Sequence, residues 1–161
     1  MRELKTLFAG TGKNSLNYWW KVKNPLIICI NFLVIELCKY LPSLSLKRFL
    51  LRLLGMKIGK NAAIGLAVQL DVFFPELITL KDNCMLGYNT TILCHEFLQK
   101  SLRLGKVVIG ENALVATNCL VLPGVSIGRN SVVSSMSLVN KSIPANSFYG
   151  GIPAKRLKAR R

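Results

Sequence analysis

From Ile58 onward the chain repeats a pattern of aliphatic, small and polar positions with a period of six residues. Each unit opens with an aliphatic residue, and an asparagine or glycine recurs three places later. These residues tolerate the left-handed backbone conformation of tight corners, so each unit predicts a short strand and a corner. Because such short strands bury little surface alone, we expect the units to stack as coils with the aliphatic side chains inside. The aliphatic positions are Ile58, Ile64, Leu70, Leu80, Leu86, Ile92, Ile109, Val115, Val121, Ile127, Val133 and Val139.

The corner residues and the slim residues after them keep the same register. The expected corners are Asn61, Asn83, Asn89, Asn112, Asn118, Asn130 and Gly124. The slim residues are Ala62, Cys84, Thr90, Ala113, Cys119, Val125, Ser131 and Ser137. The register breaks at 71–79, which we expect to be irregular, and at 93–108, which we expect to be a loop. Loops that leave a rigid scaffold are where binding and catalytic residues concentrate.

Two helices are predicted ahead of the repeats. Asn24 and Pro25 suit a helix start, residues 26–41 are almost wholly apolar, and Pro42 ends the segment. A second helix follows Ser43, with apolar residues at helical spacing and basic residues opposite. The apolar residues are Leu46, Phe49, Leu50, Leu53 and Leu54, and the basic residues are Lys47, Arg48 and Arg52. We expect residues 1–55 to be a helical segment that caps the end of a β domain, contacts a membrane surface, or does both. Residues 56–161 are then the β domain with a basic C-terminal tail.

The composition narrows the class of protein and its surroundings. Apolar residues make up 51% of the chain, which excludes a disordered chain. The chain has 22 Lys and Arg against 7 Asp and Glu, which gives a net charge of +15. That surplus indicates an anionic neighbour such as a membrane, a nucleic acid or an acidic polymer. Five cysteines and one histidine fit neither a disulfide framework nor a zinc site, so we expect reduced, buried cysteines in a cytosolic protein. The first 24 residues lack the pattern of a signal peptide.

Two further motifs point to a known family. They are Gly-Tyr-Asn-Thr-Thr-Ile-Leu-Cys-His at 87–95 and Gly-Gly-Ile-Pro-Ala-Lys at 150–155. With the repeats, they resemble the hexapeptide-repeat acyltransferases, in particular maltose and galactoside O-acetyltransferases and bacterial O-acetyltransferases of cell-surface polysaccharide pathways. The resemblance implies a mainly β fold, a left-handed parallel β-helix with three units per triangular coil and a closing C-terminal segment. It also implies a homotrimer that moves an acetyl group from acetyl-CoA to a hydroxyl of a sugar or glycan.

His95 is the candidate general base. Acetyl transfer to a hydroxyl requires removal of the hydroxyl proton, and imidazole is suited to that task. The resemblance implies the same role, because the family's catalytic histidine follows the motif matched by 87–95; the alternative is a surface histidine in a flexible loop. We expect Asp71 to orient the ring from the neighbouring coil, with Glu76 and Glu96 as further candidates, since stacked coils lie about 4.8 Å apart. Asp71 could instead only cap a corner.

The residues for acetyl-CoA are assigned from the resemblance. The family binds the pantetheine arm along the coils between subunits, and the matching positions are Ala116, Thr117, Ser135 and Asn140. The candidates for the nucleotide phosphates, which favour fixed positive charge, are Lys141, Lys155 and Arg156. The alternative for these three residues, and for the whole of 156–161, is a solvated basic tail. No metal is expected.

Other functions compete with acetyl transfer. One is a non-catalytic trimeric β-helix scaffold held at a membrane by its basic helices. The γ-class carbonic anhydrases share the fold but need three zinc-binding histidines, so the single histidine excludes them. Specific nucleic-acid binding is not expected, because no recognised module accompanies the charge. We expect a cytoplasmic protein whose N-terminal helices either bind peripherally to the anionic inner face of the membrane or only cap the coils. The expected acceptor is a sugar or a lipid-linked glycan, with a nucleotide sugar or an antibiotic as alternatives.

Overall fold

The structure is a computed structural model that describes residues 2–9 and 12–158. The helices are α1 (Trp19–Val22), α2 (Pro25–Tyr40) and α3 (Leu44–Leu53), and 3₁₀ turns span Ser15–Tyr18 and Pro75–Leu77. The strands are β1 (Lys5–Ala9), β2 (Lys57–Ile58), β3 (Ala63–Ile64), β4 (Ile78–Leu80), β5 (Met85–Leu86), β6 (Thr91–Ile92), β7 (His95–Phe97), β8 (Ser101–Leu104), β9 (Val107–Ile109), β10 (Leu114–Val115), β11 (Leu120–Val121), β12 (Ser126–Ile127), β13 (Val132–Val133), β14 (Leu138–Val139), β15 (Phe148–Gly150) and β16 (Lys155–Arg156).

Short parallel strands form three faces of a stack of coils. Face 1 contains β2, β4, β9 and β12, face 2 contains β3, β5, β10, β13 and β15, and face 3 contains β6, β11 and β14. Where the repeat is regular, residues that pair between neighbouring coils are three six-residue units apart in sequence, as Leu114 and Val132 are. At the far end β16 pairs antiparallel with β15, so the motif at 150–155 reverses the chain there. The stacking of coils predicted from the period is confirmed.

The aliphatic ladder predicted from the repeats is the core of the stack. Every aliphatic position from Ile58 to Val139 is at most 7% exposed, and the slim residues after the corners are buried as well. The predicted asparagine corners have φ between 53° and 56°, and Gly124 has φ 77°. Asparagines of successive coils also hydrogen-bond each other; the Nδ2 of Asn83 donates to Oδ1 of Asn112 at 2.8 Å. The six-residue register therefore predicted both the buried side and the turning points.

The segment expected to be a loop, 93–108, is largely a β-hairpin. β7 and β8 pair antiparallel, and β1 pairs with the other side of β8. Leu102 on β8 is fully buried, which gives this small sheet an apolar anchor. The hexapeptide register stops here, so that pattern carried no signal for the hairpin. His95 consequently lies on a strand and not in a flexible loop.

α2 begins and ends where the sequence predicted. The side chain of Asn24 accepts a hydrogen bond from the backbone N–H of Leu26 at 2.9 Å, and the helix ends just before Leu41 and Pro42. Its buried residues include Ile35 and Cys38, which belong to the same hydrophobic core as the coils. None of the helices in the described ranges has the length and apolar character required to cross a bilayer.

The first coil exposes backbone carbonyls that no preceding coil can satisfy. Hydrogen bonds between neighbouring coils run in both directions, as from Gly59 N to Leu80 O at 2.7 Å and from Ile92 N to Gln69 O at 2.9 Å. Successive residues of a strand direct their backbone groups to opposite neighbours, so the first-coil carbonyls that point away from the second coil have no coil to pair with. Lys47 of α3 is 1% exposed, and its Nζ donates to the carbonyls of Ile64 at 3.0 Å and Gly65 at 2.9 Å. A buried carbonyl without a partner is costly, so this lysine stabilises the open end.

Two arginines of α3 extend the same contact. Arg48 donates to the carbonyl of Ala62 at 3.1 Å, and Nε of Arg52 donates to that of Ile58 at 2.9 Å. An amphipathic helix ordinarily buries its apolar stripe. α3 does the reverse, because its basic side supplies the donors that the first coil lacks. The helix therefore caps the coils, with Leu51 as the buried apolar residue.

Replacing Lys47 with methionine is expected to lower the free energy of unfolding by about 1–3 kcal/mol, because two carbonyls lose a charged donor. Burial lowers the pKa of Lys47, and the neighbouring Cys38 opposes that shift. Urea unfolding with an unchanged slope measures the loss. Lys57, an exposed lysine on β2, supplies the matched control Lys57→Met, which we expect to change stability by less than about 0.5 kcal/mol. Equal stability of the two variants would contradict this account of the cap.

The cysteines follow the prediction with one exception. Cys38, Cys84, Cys94 and Cys119 are buried thiols, whereas Cys29 on α2 is exposed. Burial raises the pKa of Cys84 to about 11, and burial also raises the pKa of Cys38, Cys94 and Cys119. The prediction of a buried side chain is wrong for Cys29, because α2 turns only a narrow stripe toward the coils.

Candidate active site

Both interruptions of the repeat leave the coils at the corner between face 3 and face 1. The first, 71–77, connects the bridge of Gln69 to Thr91 on face 3 with β4 on face 1. The second, 93–106, connects β6 with β9 across the same corner of the next coil. Residues placed early in the two segments are therefore neighbours in adjacent coils, as the register predicted for Asp71 and His95.

Asp71 and His95 form a hydrogen-bonded pair at this corner. The Nδ1 of His95 lies 2.6 Å from Oδ2 of Asp71, whose side chain is fully buried, while the histidine side chain is 17% exposed. The same carboxylate accepts the backbone N–H of Phe74 at 2.8 Å and that of Cys94 at 2.6 Å. Asp71 thus contacts the ring and also closes the turn that follows it, so the two roles considered for it coexist.

The surroundings of the carboxylate determine the tautomer of His95. An ionised carboxylate can only accept hydrogen bonds, so Nδ1 must carry the hydrogen that points at Asp71. Nε2 then bears a lone pair, and among the described residues none is hydrogen-bonded to it. The arrangement can accept a proton at Nε2 and stabilise the resulting imidazolium through Asp71.

Three phenylalanine rings surround His95. The centroids of Phe73, Phe97 and Phe74 lie 4.9, 5.1 and 6.0 Å from that of the histidine. Trp19 contacts Phe73 at 6.3 Å and so continues the cluster toward the helices. Apolar surroundings strengthen the hydrogen bond between Asp71 and the ring. We did not predict these rings, although the phenylalanines two and three places after Asp71 and the one two places after His95 were a usable signal.

The other acidic candidates lie elsewhere. Glu96 pairs with Arg2, and alternate residues of a strand point to opposite faces, so its carboxylate faces away from His95. Glu76 pairs with Lys23 at 2.9 Å. We therefore correct the prediction that Glu96 belongs to the catalytic group, and Asp71 is the described carboxylate that contacts the ring.

The residues predicted for acetyl-CoA fall in three places. Ala116, Thr117 and Ser135 lie at the corner between face 2 and face 3, in successive coils. Asn140 and Lys141 follow β14 at the corner that also carries His95, and Lys155 and Arg156 form the exposed strand β16. Within one chain, the corner that carries Ala116, Thr117 and Ser135 is separated from the His95 corner by the width of face 3. Residues 159–161 of the predicted basic tail lie outside the described residues.

Comparison with known proteins identifies the family. The model of the family described as bacterial transferase hexapeptide (six repeats) matches residues 106–141. YvoF of Bacillus subtilis, provisionally named an acetyltransferase, is 42% identical over 146 residues, which cover 90% of this chain and 85% of YvoF. The chain belongs to the bacterial hexapeptide-repeat transferases. WcaF of Escherichia coli, provisionally named a colanic acid biosynthesis acetyltransferase, is 36% identical to this hexapeptide-repeat transferase over 138 residues, covering 71% of this chain and 75% of WcaF.

Solved structures show the same fold. The hexapeptide-repeat acetyltransferase VCA0836 of Vibrio cholerae, complexed with acetyl coenzyme A, has a TM-score of 0.67 at 19% identity and covers 83% of this chain and 87% of its own. A maltose O-acetyltransferase of Clostridium difficile has a TM-score of 0.60 at 21% identity, over 84% of this chain and 88% of its own. The left-handed β-helix expected from the resemblance is therefore confirmed for the coils of this transferase. The relatives that align over most of this chain carry acetyltransferase names, and the protein is an enzyme of that class.

Proposed function

We propose that this hexapeptide-repeat enzyme is an O-acetyltransferase that moves an acetyl group from acetyl-CoA to a hydroxyl of a sugar or glycan, with His95 as the general base. The observation that carries the proposal is the hydrogen bond of 2.6 Å between Nδ1 of His95 and the buried Asp71, which leaves Nε2 available. A surface histidine with a merely structural role would not require a buried, fully hydrogen-bonded carboxylate behind it.

The chemistry at His95 is a single proton relay. Nε2 accepts the proton of the acceptor hydroxyl while that oxygen attacks the thioester carbonyl carbon, and Asp71 stabilises the imidazolium. When the carbon–sulfur bond breaks, Nε2 returns the proton to the departing sulfur. The products are the acetyl ester and the free thiol of CoA, so atoms and charges balance without a covalent enzyme intermediate.

A homotrimer would complete the site. Apolar side chains are exposed on face 2 and at its corner with face 3, namely Met85, Tyr88, Val132 and Met136. Contact with a neighbouring subunit would cover them. We infer that this contact brings the corner of Ala116, Thr117 and Ser135 against the His95 corner of the neighbour, where both corners line one donor channel. The acetyl-CoA of VCA0836, a protein of the same fold, supports the choice of donor.

The acceptor is proposed from the relatives and from the charge. WcaF carries a name that places it in colanic acid biosynthesis, and it is 36% identical to this chain. The net charge of +15 favours an acidic acceptor, or one that is carried by an anionic surface. A hydroxyl of a surface-glycan precursor meets both conditions.

A thiol-release assay with acetyl-CoA tests the proposed function. We expect thiol release that depends on an added acceptor, across a panel of free sugars, nucleotide sugars and polyprenyl-linked saccharides, with the acetyl ester identified by mass spectrometry. Ultracentrifugation of the same preparation is expected to show particles of three chains. A protein that binds no acetyl-CoA and releases no thiol with any acceptor would be a scaffold, and the proposal would be wrong.

A further inference from the structure

α2 presents an uninterrupted apolar stripe to solvent. Its outward residues are Leu26, Ile30, Leu33, Leu37 and Tyr40, which are between 49% and 77% exposed. Their spacing places them within one narrow arc of the helix, on the side opposite the buried Ile28, Asn31, Ile35 and Cys38. No charged residue belongs to this arc. Monomeric proteins rarely leave so continuous an apolar surface without a partner.

α3 adds a second outward stripe beside the first. Leu46, Phe49 and Leu53 are between 44% and 67% exposed, and three residues, 41–43, connect the two helices. The basic residues of α3 that could have made this side polar are held against the first coil. The outward apolar surface of α2 and α3 is therefore a consequence of the way α3 caps the coils.

Aromatic and basic residues flank this apolar surface. Trp20 and Lys21 precede α2 and are exposed, and Tyr40 at its other end is 77% exposed. Lys57 and Lys60 are exposed on the first coil, which α3 contacts. Trp and Tyr favour the level of the lipid headgroups, and lysines near an apolar surface favour anionic lipids.

We propose that the outward apolar surface of α2 and α3 docks on an anionic lipid bilayer and lies in its interface. With 16 residues, α2 is about 24 Å long, which is shorter than the roughly 30 Å hydrocarbon core, so it lies on the bilayer and does not cross it. The apolar stripes, flanked by tryptophan, tyrosine and lysine, match the pattern of interfacial helices. The protein then sits peripherally at the inner face of the cytoplasmic membrane.

The docking surface is continuous with the proposed active site. An apolar groove of about 560 Å³ is lined by Ile28, Cys29, Phe32, Leu33, Val72 and Phe73. Phe73 also contacts the ring of His95, with 4.9 Å between the centroids. Docking would therefore bring the corner that carries His95 close to acceptors held in the same bilayer. The docking proposal itself does not depend on the proposed function.

Vesicle flotation with the full chain tests the docking. Deleting residues 1–55 is unsuitable, because that change would also remove the residues that cap the first coil. Point variants avoid the problem: Leu53→Glu places a charge on the outward surface, and Leu157→Glu places the same charge at the opposite end of the stack, on a side chain that is 40% exposed. Thermal unfolding of both variants is expected to match that of the wild type, since neither leucine is buried.

The wild type and Leu157→Glu are expected to float with vesicles of phosphatidylglycerol and phosphatidylcholine, and to float less with phosphatidylcholine alone. Leu53→Glu is expected to reduce the partition coefficient about tenfold, and Leu33→Glu added to it should abolish flotation. Failure of the wild type to float, or equal flotation of Leu53→Glu and Leu157→Glu, would overturn the proposal. A decrease in the size of the lipid-free particle on Leu53→Glu substitution would also overturn the proposal, because the surface would then bind a second copy of the chain. None of these outcomes depends on acetyl transfer.

Discussion

Substitution of His95 by alanine is expected to lower kcat/KM for acetyl transfer by about 10²–10⁴-fold while the chain remains folded and trimeric. The variant removes the nitrogen that accepts the hydroxyl proton, and positioned general bases contribute about that factor. The loss corresponds to roughly 3–5 kcal/mol of transition-state stabilisation. Steady-state thiol release measures it, with the acceptor found in the assay described above.

The adjacent residue supplies a control for disturbance of the hairpin. Glu96→Gln alters the next position of β7, whose carboxylate pairs with Arg2 and faces away from the site. We expect this variant to retain kcat/KM within about threefold, since the pair is partly exposed and contributes little. Near-normal turnover of His95→Ala, or equal losses in the two variants, would show that the base is not His95.

Substitution of Asp71 by asparagine is expected to impair both catalysis and stability. The carboxylate accepts three hydrogen bonds, from His95, Phe74 and Cys94. An amide offers one acceptor oxygen and directs N–H donors at the remaining partners. We expect kcat/KM to fall about 10²–10⁴-fold, because the preferred tautomer and the stabilised imidazolium are both lost, and the free energy of unfolding to fall by about 1–3 kcal/mol.

A second aspartate makes the comparison specific. Asp82 also joins two coils through a backbone hydrogen bond, its Oδ1 accepting from Lys60 N at 2.8 Å, yet it lies at an exposed position away from His95. Asp82→Asn is expected to lose less than about 1 kcal/mol and to leave kcat/KM unchanged. If Asp71→Asn lost stability alone, with normal turnover, Asp71 would serve only to close the turn.

The candidate pair could be predicted because it depends on the register. Asp71 follows the ladder residue Leu70, His95 comes three places after Ile92, and both leave adjacent coils at the same corner. Counting in sixes is enough to place them side by side. Glu96 could not be excluded in that way, because its orientation depends on pairing within the hairpin and on Arg2, which is distant in sequence.

Corners occupied by residues other than asparagine or glycine could not be predicted from residue preference. Ala67 and Met136 adopt φ of 57° and 59°, although neither residue type favours the left-handed region. The stacked coils impose the turn at these positions whatever residue stands there. Residue preference therefore indicates most corners, while the closed coil determines all of them.

The sequence by itself determined the coils, the buried ladder, most of the corners and the meeting of Asp71 with His95, because each of these follows from a local period repeated along the chain. Only the tertiary structure decided that residues 93–108 form a hairpin with β1, that phenylalanines surround the histidine and that α3 turns its basic side inward. The physical reason is the same in these cases. The partners of the hairpin, the rings and the lysine are brought close by stacking, and the unpaired carbonyls that attract Lys47 exist only once the first coil has closed.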